Sequence, residues 1–139
     1  MWQKIIDRNN FHTHETDIMN LYINSPLGQE MTQWQLRRYI LNPIHYKQMM
    51  IFGENDRADI VATWSRLSDI EAERFEKSLN MEHWCCGQNI YIQDVIGNHL
   101  NNYKAMKLLK KYFIDQYQQP RAQWFRMYYD KNTYRRGYW

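Results

Sequence analysis

The sequence predicts an α/β (α+β) fold: one domain over residues 1–139, built as a mixed β-sheet flanked by helices. Three observations carry this. Segments with apolar residues at helical spacing alternate with short apolar runs of strand length. The cluster Gly53-Glu54-Asn55-Asp56-Arg57 separates two such runs, which therefore pair as a hairpin. A strong strand, a helix and another strand follow in the C-terminal half, the order of a crossover unit, so the sheet is mixed.

The elements follow in chain order. Residues 13–24 carry Ile18, Leu21 and Tyr22 at helical spacing, with Thr13 as a cap and Pro26 as the stop. Residues 30–41 place Trp34, Leu36, Ile40 and Leu41 on a second helix that ends before Pro43. Residues 46–52 and 59–65 are the hairpin strands. Ser68-Asp69-Ile70-Glu71 has the form of a capping box and opens a charged helix over 69–79. Residues 89–96 form a strand with Ile90, Ile92 and Ile96. Gly97-Asn98 then turns into a helix over 99–113, with Leu100, Met106, Leu109 and Phe113 as its apolar positions. Residues 122–129 form the next strand, Asp130-Lys131-Asn132 a turn, and 133–139 either close the sheet or dock as a tail.

Composition narrows the class. Hydrophobic content is 44% and charged content 24%, ordinary for a globular domain and unlike a disordered or collagenous chain. Eleven Tyr and six Trp suit a core with polar ring edges at the surface, or an interface. The net charge of +3 permits an acidic partner protein or nucleic acid and demands neither. Cys85 and Cys86 are adjacent, too strained a pair for a mutual disulfide, and read as buried small apolar groups in a reducing compartment. No apolar run approaches the ~20 residues of a membrane span, and the N-terminus lacks the apolar stretch of a signal peptide. A cytoplasmic protein, or a component of a virion assembled there, is expected. His12 and His14 form a lone pair without a third ligand at metal-site spacing, so no metal site is expected.

Six pieces in order carry a resemblance. They are Ser25-Pro26-Leu27-Gly28; Ala62-Thr63-Trp64-Ser65-Arg66-Leu67-Ser68 followed by Glu71 and Glu73; Glu82-His83-Trp84-Cys85-Cys86-Gly87; Ile92-Gln93-Asp94; Leu108-Leu109-Lys110-Lys111-Tyr112-Phe113; and Phe125-Arg126 leading to Asp130-Lys131-Asn132-Thr133. Each alone is common. Together, from about Leu21 to about Gly137, the chain resembles the RTX toxin-activating lysine acyltransferases, the hemolysin-activating family, as a short, divergent member. The element order also suits the acetyltransferase-like (GNAT) architecture. The resemblance implies transfer of a fatty acyl group from acyl carrier protein to an internal lysine of a protein substrate, no tightly bound cofactor, and a homodimer.

It also locates a departure. A histidine follows Ser-Pro-Leu in the family, and here the position is Gly28, which can neither take a proton nor be acylated. The family's second catalytic group, an Asp after Ile, is matched by Asp94 with one residue inserted. Acyl transfer to an amine needs a base or a nucleophile, and donors for the oxyanion. Three accounts remain open. Another histidine, from His12, His14, His45 or His99, substitutes, with His99 nearest Asp94 in sequence. Alternatively Asp94 acts alone. In the third, the fold is catalytically inactive and serves as a structural or interaction component, for example of a bacteriophage particle. The catalytic candidates are thus Asp94, His99 and Ser25, the last holding the helix-boundary geometry. Gly97 and Asn98 are candidates for a donor's pantetheine phosphate, their amides opening onto a helix N-terminus. Lys110 and Lys111 are candidates for meeting the acidic carrier.

Overall fold

The sheet is built around its two most apolar strands. β2 (Met49–Gly53) is buried throughout, and β3 (Ile60–Leu67) at every position except Arg66. Strands buried on both faces belong mid-sheet with helices on either side. They pair antiparallel, with Met49 opposite Thr63 and Phe52 opposite Ile60. The computed structural model describes the backbone of residues 1–128 and 133–139, and their side chains except those of residues 99, 126–128 and 133. The turn expected at Asp130-Lys131-Asn132 lies outside the described residues.

Four more strands complete a six-stranded sheet in the order β1-β2-β3-β4-β5-β6. β1 (Trp2–Ile5) pairs antiparallel with β2, and β4 (Asn89–Gly97) antiparallel with β3. β4 and β5 (Ala122–Tyr128) are parallel, joined by the crossover helix. β6 (Thr133–Tyr138) pairs antiparallel with β5, so the C-terminal segment closes the sheet. β1 was not expected from the sequence. Its four residues are half-exposed or exposed and carry no apolar alternation, and its place is set by pairing.

The helices are α1 (Phe11–Ile23), α2 (Pro26–Gln29), α3 (Gln33–His45), α4 (Asp69–Ser78) and α5 (Asn102–Tyr117), the last preceded by a single 3-10 turn at His99–Asn101. Several boundaries differ from the expected ones: α3 starts at Gln33, α5 runs from Asn102 to Tyr117 and β2 starts at Met49, and three further differences have a visible local cause. The first helix starts before Thr13, because Asp7 accepts from the amides of Asn9 and Asn10 while Asn10 Oδ1 accepts from the Asp7 amide, which turns the chain into the helix early. Pro26 does not merely end a helix: it occupies the first turn of α2, where its missing N–H costs nothing. Pro43 lies inside α3 rather than beyond it, near the C-terminal end of the helix, with its ring buried. Of the capping box expected at Ser68 only half forms: its hydroxyl accepts from the Glu71 amide, while the Glu71 carboxylate pairs with Arg74 instead of reaching back.

Alternation along the strands divides the core. Met49, Ile51 and Val61 face α1 and α3 with Ile18, Tyr22, Leu36 and Ile40. Met50, Phe52, Ile60, Ala62 and Trp64 face α5 with Leu109 and Phe113. A third cluster, Leu67, Ala72, Phe75 and Tyr91, lies under α4. Trp34, Leu41 and Leu100, expected on apolar helix faces, are exposed at 65%, 61% and 92%. Both cysteines are exposed rather than buried, because their loop runs along the surface beside Arg66.

One irregularity positions the site. Thr63 stands opposite Asp94, but the next residue, Trp64, stands opposite Ile92, leaving Gln93 without a partner. Gln93 is the residue that the resemblance counts as inserted, and the sheet absorbs it as a β-bulge.

Candidate functional site

The bulge decides which way Asp94 points. Strict alternation would send Ile92 and Asp94 to the same face. Instead Ile92 packs on the α5 side, while Asp94 turns to the side of α1 and α3. There it is 7% exposed and meets hydroxyls from three elements. Thr63 of β3 donates to Oδ2 at 2.7 Å, Tyr22 of α1 to Oδ2 at 2.9 Å, and Tyr39 of α3 lies 3.1 Å from both oxygens. Oδ2 thus takes Thr63 and Tyr22 and shares the single Tyr39 proton with Oδ1, which has no other donor among the described residues. Burial pushes the Asp94 carboxyl above the usual carboxylate range, and the bonds from Thr63, Tyr22 and Tyr39 oppose that shift without cancelling it. Burial, then the Asp94 charge, pushes the Tyr22 phenol well up, so it remains a donor.

Asp94 lies on the wall of a groove of about 440 Å³. Leu27, Tyr39, Phe75, Leu79, Met81, Trp84 and Phe125 supply its apolar lining, and Asn42, Asn80, Gln93 and Asp94 its polar groups. Gln93 is tied down by its bond to Ser65 Oγ at 3.0 Å. Trp84 is fixed through its carbonyl, which accepts from the Arg66 amide at 2.9 Å and from Gln48 Nε2 at 2.8 Å. The arrangement is a largely apolar trough with a buried carboxyl at one wall. It is fit to hold an aliphatic chain beside a proton acceptor.

The other candidates lie elsewhere. Ser25 caps α2: its hydroxyl donates to the Tyr22 carbonyl at 2.6 Å and accepts from the Gly28 amide at 3.1 Å. Ser25, Gly97 and Asn98 share a second hollow of about 480 Å³, lined also by Asp17, Arg57 and Asp59. The Asn98 amide is committed to the Asp59 carbonyl at 3.0 Å, and its side chain caps Leu100. The His99 side chain lies outside the described part of the structure. His12 packs against Phe11, His45 against Tyr46, and His14 Nε2 lies 3.2 Å from Lys4 Nζ. Burial, then the Lys4 charge, lowers the His14 pKa. None of these three is bonded to Asp94. Among the described residues no three His, Cys, Asp or Glu side chains gather as a metal site, and no helix is long and apolar enough to cross a membrane.

Gly28 is buried in α2, and a Cβ there would lie 1.8 Å from the Tyr22 carbonyl oxygen. The sequence pointed to Asp94 but gave no sign of the three hydroxyls around it, those of Tyr22, Tyr39 and Thr63. Tyr22 reads as a core position of an amphipathic helix, and Tyr39 has no local signal. Thr63 was within reach, since the expected strands would pair it near Asp94 once the bulge is known.

No curated protein matches the sequence. Among solved structures, the loading GNATL domain of CurA from Lyngbya majuscula is similar with a TM-score of 0.60 at 9% identity, over 91% of this chain and 64% of that one. The chain thus spans just under two thirds of that domain. A GNAT-family acetyltransferase from Listeria monocytogenes is similar with a TM-score of 0.52 at 8% identity, over 94% of this chain and 78% of that one. These likenesses show a GNAT fold: a mixed sheet with helices on both faces. A sequence profile of the RTX toxin acyltransferase family (HlyC) matches residues 10–135, and the chain belongs to that family.

Proposed function

We propose that this protein transfers a fatty acyl group from acyl carrier protein to a lysine of a protein substrate, with Asp94 as the base. The observation that carries this reading is the buried Asp94 carboxyl on the wall of the apolar groove, with Oδ1 less occupied than Oδ2. The groove suits an acyl chain. A carboxyl whose proton affinity is raised by burial suits a base working on an amine. The amine nitrogen attacks the thioester carbon, the carbon–nitrogen bond forms, and Asp94 Oδ1 takes the proton that nitrogen sheds. The carbon–sulfur bond then breaks and the proton that Asp94 took from the nitrogen passes to the sulfur, so the carrier leaves as a thiol and the carboxylate is restored. No tightly held cofactor enters this scheme. The hollow at Ser25, Gly97 and Asn98 lies at the end of β4, where a pantetheine arm would pass. With the Asn98 amide committed to Asp59, that hollow would offer walls rather than a row of free amides.

A second reading is favoured by one observation. The backbone around Gly28 has closed so that no side chain fits there. A fold retained for binding, as in a bacteriophage particle, would permit this. The experiment that separates the two is transfer of labelled acyl groups from acyl carrier protein to host-lysate protein, with Asp94→Asn alongside. Acyl transfer predicts label on protein for the wild type and a loss of about 10²-fold or more for Asp94→Asn. Label absent in both, or equal in both, overturns the reading.

A further inference from the structure

We propose that the outer face of α3 rests on an anionic phospholipid surface. Trp34, Arg38, Leu41 and His45 follow one another at the spacing of a single helix face. All four are exposed, while Leu36, Ile40, Pro43 and Ile44 bury the opposite side of the helix. The face is aromatic at both ends. Trp34 begins it, and the exposed Tyr46 closes it with its ring against His45. The Arg38 guanidinium lies 4.9 Å from the centre of the Trp34 ring, and Leu41 stands one turn further on.

Charge and shape select the occupant. From Met31 to Gly53 the chain carries no Asp or Glu. Arg37 is paired with Glu15 of α1 at 2.7 Å, and Arg38 and Lys47 give the face its positive sign. A second copy of the chain is a poor fit, because a two-fold pairing sets a face against itself and would oppose these cations. A soluble acidic protein would need two pockets spaced two helical turns apart, for Trp34 and Leu41, with acids between them. A bilayer interface takes Trp, Tyr and Leu at any lateral position, while Arg and Lys reach to the phosphate oxygens. α5 shows the contrast. It packs on the other side of the sheet and exposes Lys104, Lys107, Lys110 and Lys111 with no exposed apolar residue between them. That is a row of hydrated point charges with nothing to insert. Tyr39 and Asn42 of α3 line the groove beside Asp94. With α3 lying flat on lipid, the edge of the groove would meet the bilayer.

The test is sedimentation of the full chain with vesicles of phosphatidylcholine alone, and of phosphatidylcholine mixed with phosphatidylglycerol. Wild type is expected to pellet with the anionic vesicles, less so as salt rises, and weakly with the neutral ones. Trp34→Ala with Leu41→Ala should lower the partition coefficient on anionic vesicles about tenfold or more through lost apolar contact. Arg38→Glu should lower it about tenfold through charge, an effect that shrinks in high salt. These side chains are exposed, so the melting temperatures of the variants should stay close to that of wild type. A wild type that pellets with neither vesicle overturns the inference and leaves a soluble acidic partner as the occupant. Equal pelleting with both vesicles overturns it too, as does undiminished binding by the Trp34→Ala, Leu41→Ala variant. Binding lost only on Lys110→Glu with Lys111→Glu moves the contact to α5 and overturns the assignment to α3. None of these outcomes bears on acyl transfer, so the two readings fail separately.

Discussion

A methyl group at position 28 would sit 1.8 Å from the Tyr22 carbonyl oxygen, so the tight α1–α2 corner requires glycine there. A histidine at this position is therefore expected to fail: Gly28→His should lose about 3 kcal/mol of stability, read from the denaturant midpoint, with no gain in transfer. A second expectation at this scale concerns pH. Burial raises the Asp94 pKa, so the folded state holds its proton more tightly than the unfolded chain does. The penalty for ionising Asp94 is absent below the unfolded value of ~3.9, grows as pH rises through the folded value, and stays constant above it. Asp94→Asn should accordingly gain in melting temperature relative to wild type as pH rises from 4 toward neutrality. A gap that does not change with pH would mean that the carboxyl is stabilised by its three donors as fully as by water.

Among the elements, β4 shows most plainly how much the sequence could tell. The strand was legible over 89–96 from the run of isoleucines, one residue short of its end at Gly97, and the family pattern singled out Asp94 as a candidate. The bulge was not, because nothing in Ile92-Gln93-Asp94 signals that two side chains in a row must share a face. The same limit explains the missed hydroxyls of Tyr22 and Tyr39, which come to Asp94 across 72 and 55 residues of chain. Helix ends failed for local reasons: Asp7 and Asn10 start α1 early, and the buried ring of Pro43 keeps α3 going past a nominal stop. The bulge also gives a test. Removing Gln93 leaves Asp directly after Ile, and plain alternation then keeps the carboxylate on its present face. Deletion of Gln93 should be tolerated with a melting-temperature loss of several degrees, whereas deletion of Ile92 should abolish folding, both by circular dichroism melts.

At the scale of the molecule, α5 presents exposed positive charge. Lys110 and Lys111 are exposed on this helix, whose apolar positions are committed to the sheet. If the donor is carried by an acidic protein, Lys110→Glu with Lys111→Glu should raise KM for acyl carrier protein about tenfold at low salt and leave transfer from free acyl-pantetheine unchanged, the difference shrinking as ionic strength rises. Equal effects on both donors would place the carrier elsewhere. The order of the strands has a consequence of another kind. Each neighbour in the sheet is also the next strand along the chain. A chain emerging from the ribosome never has to hold a gap open for a strand not yet made. The β2–β3 hairpin can nucleate, β1 can add to it from behind, and β4, β5 and β6 can be laid down one at a time as they are synthesised. The slowest step should be the parallel join across α5, since its loop-closure entropy must be met before any rung forms. Until then the growing sheet would end at β4, with Asp94 already caged.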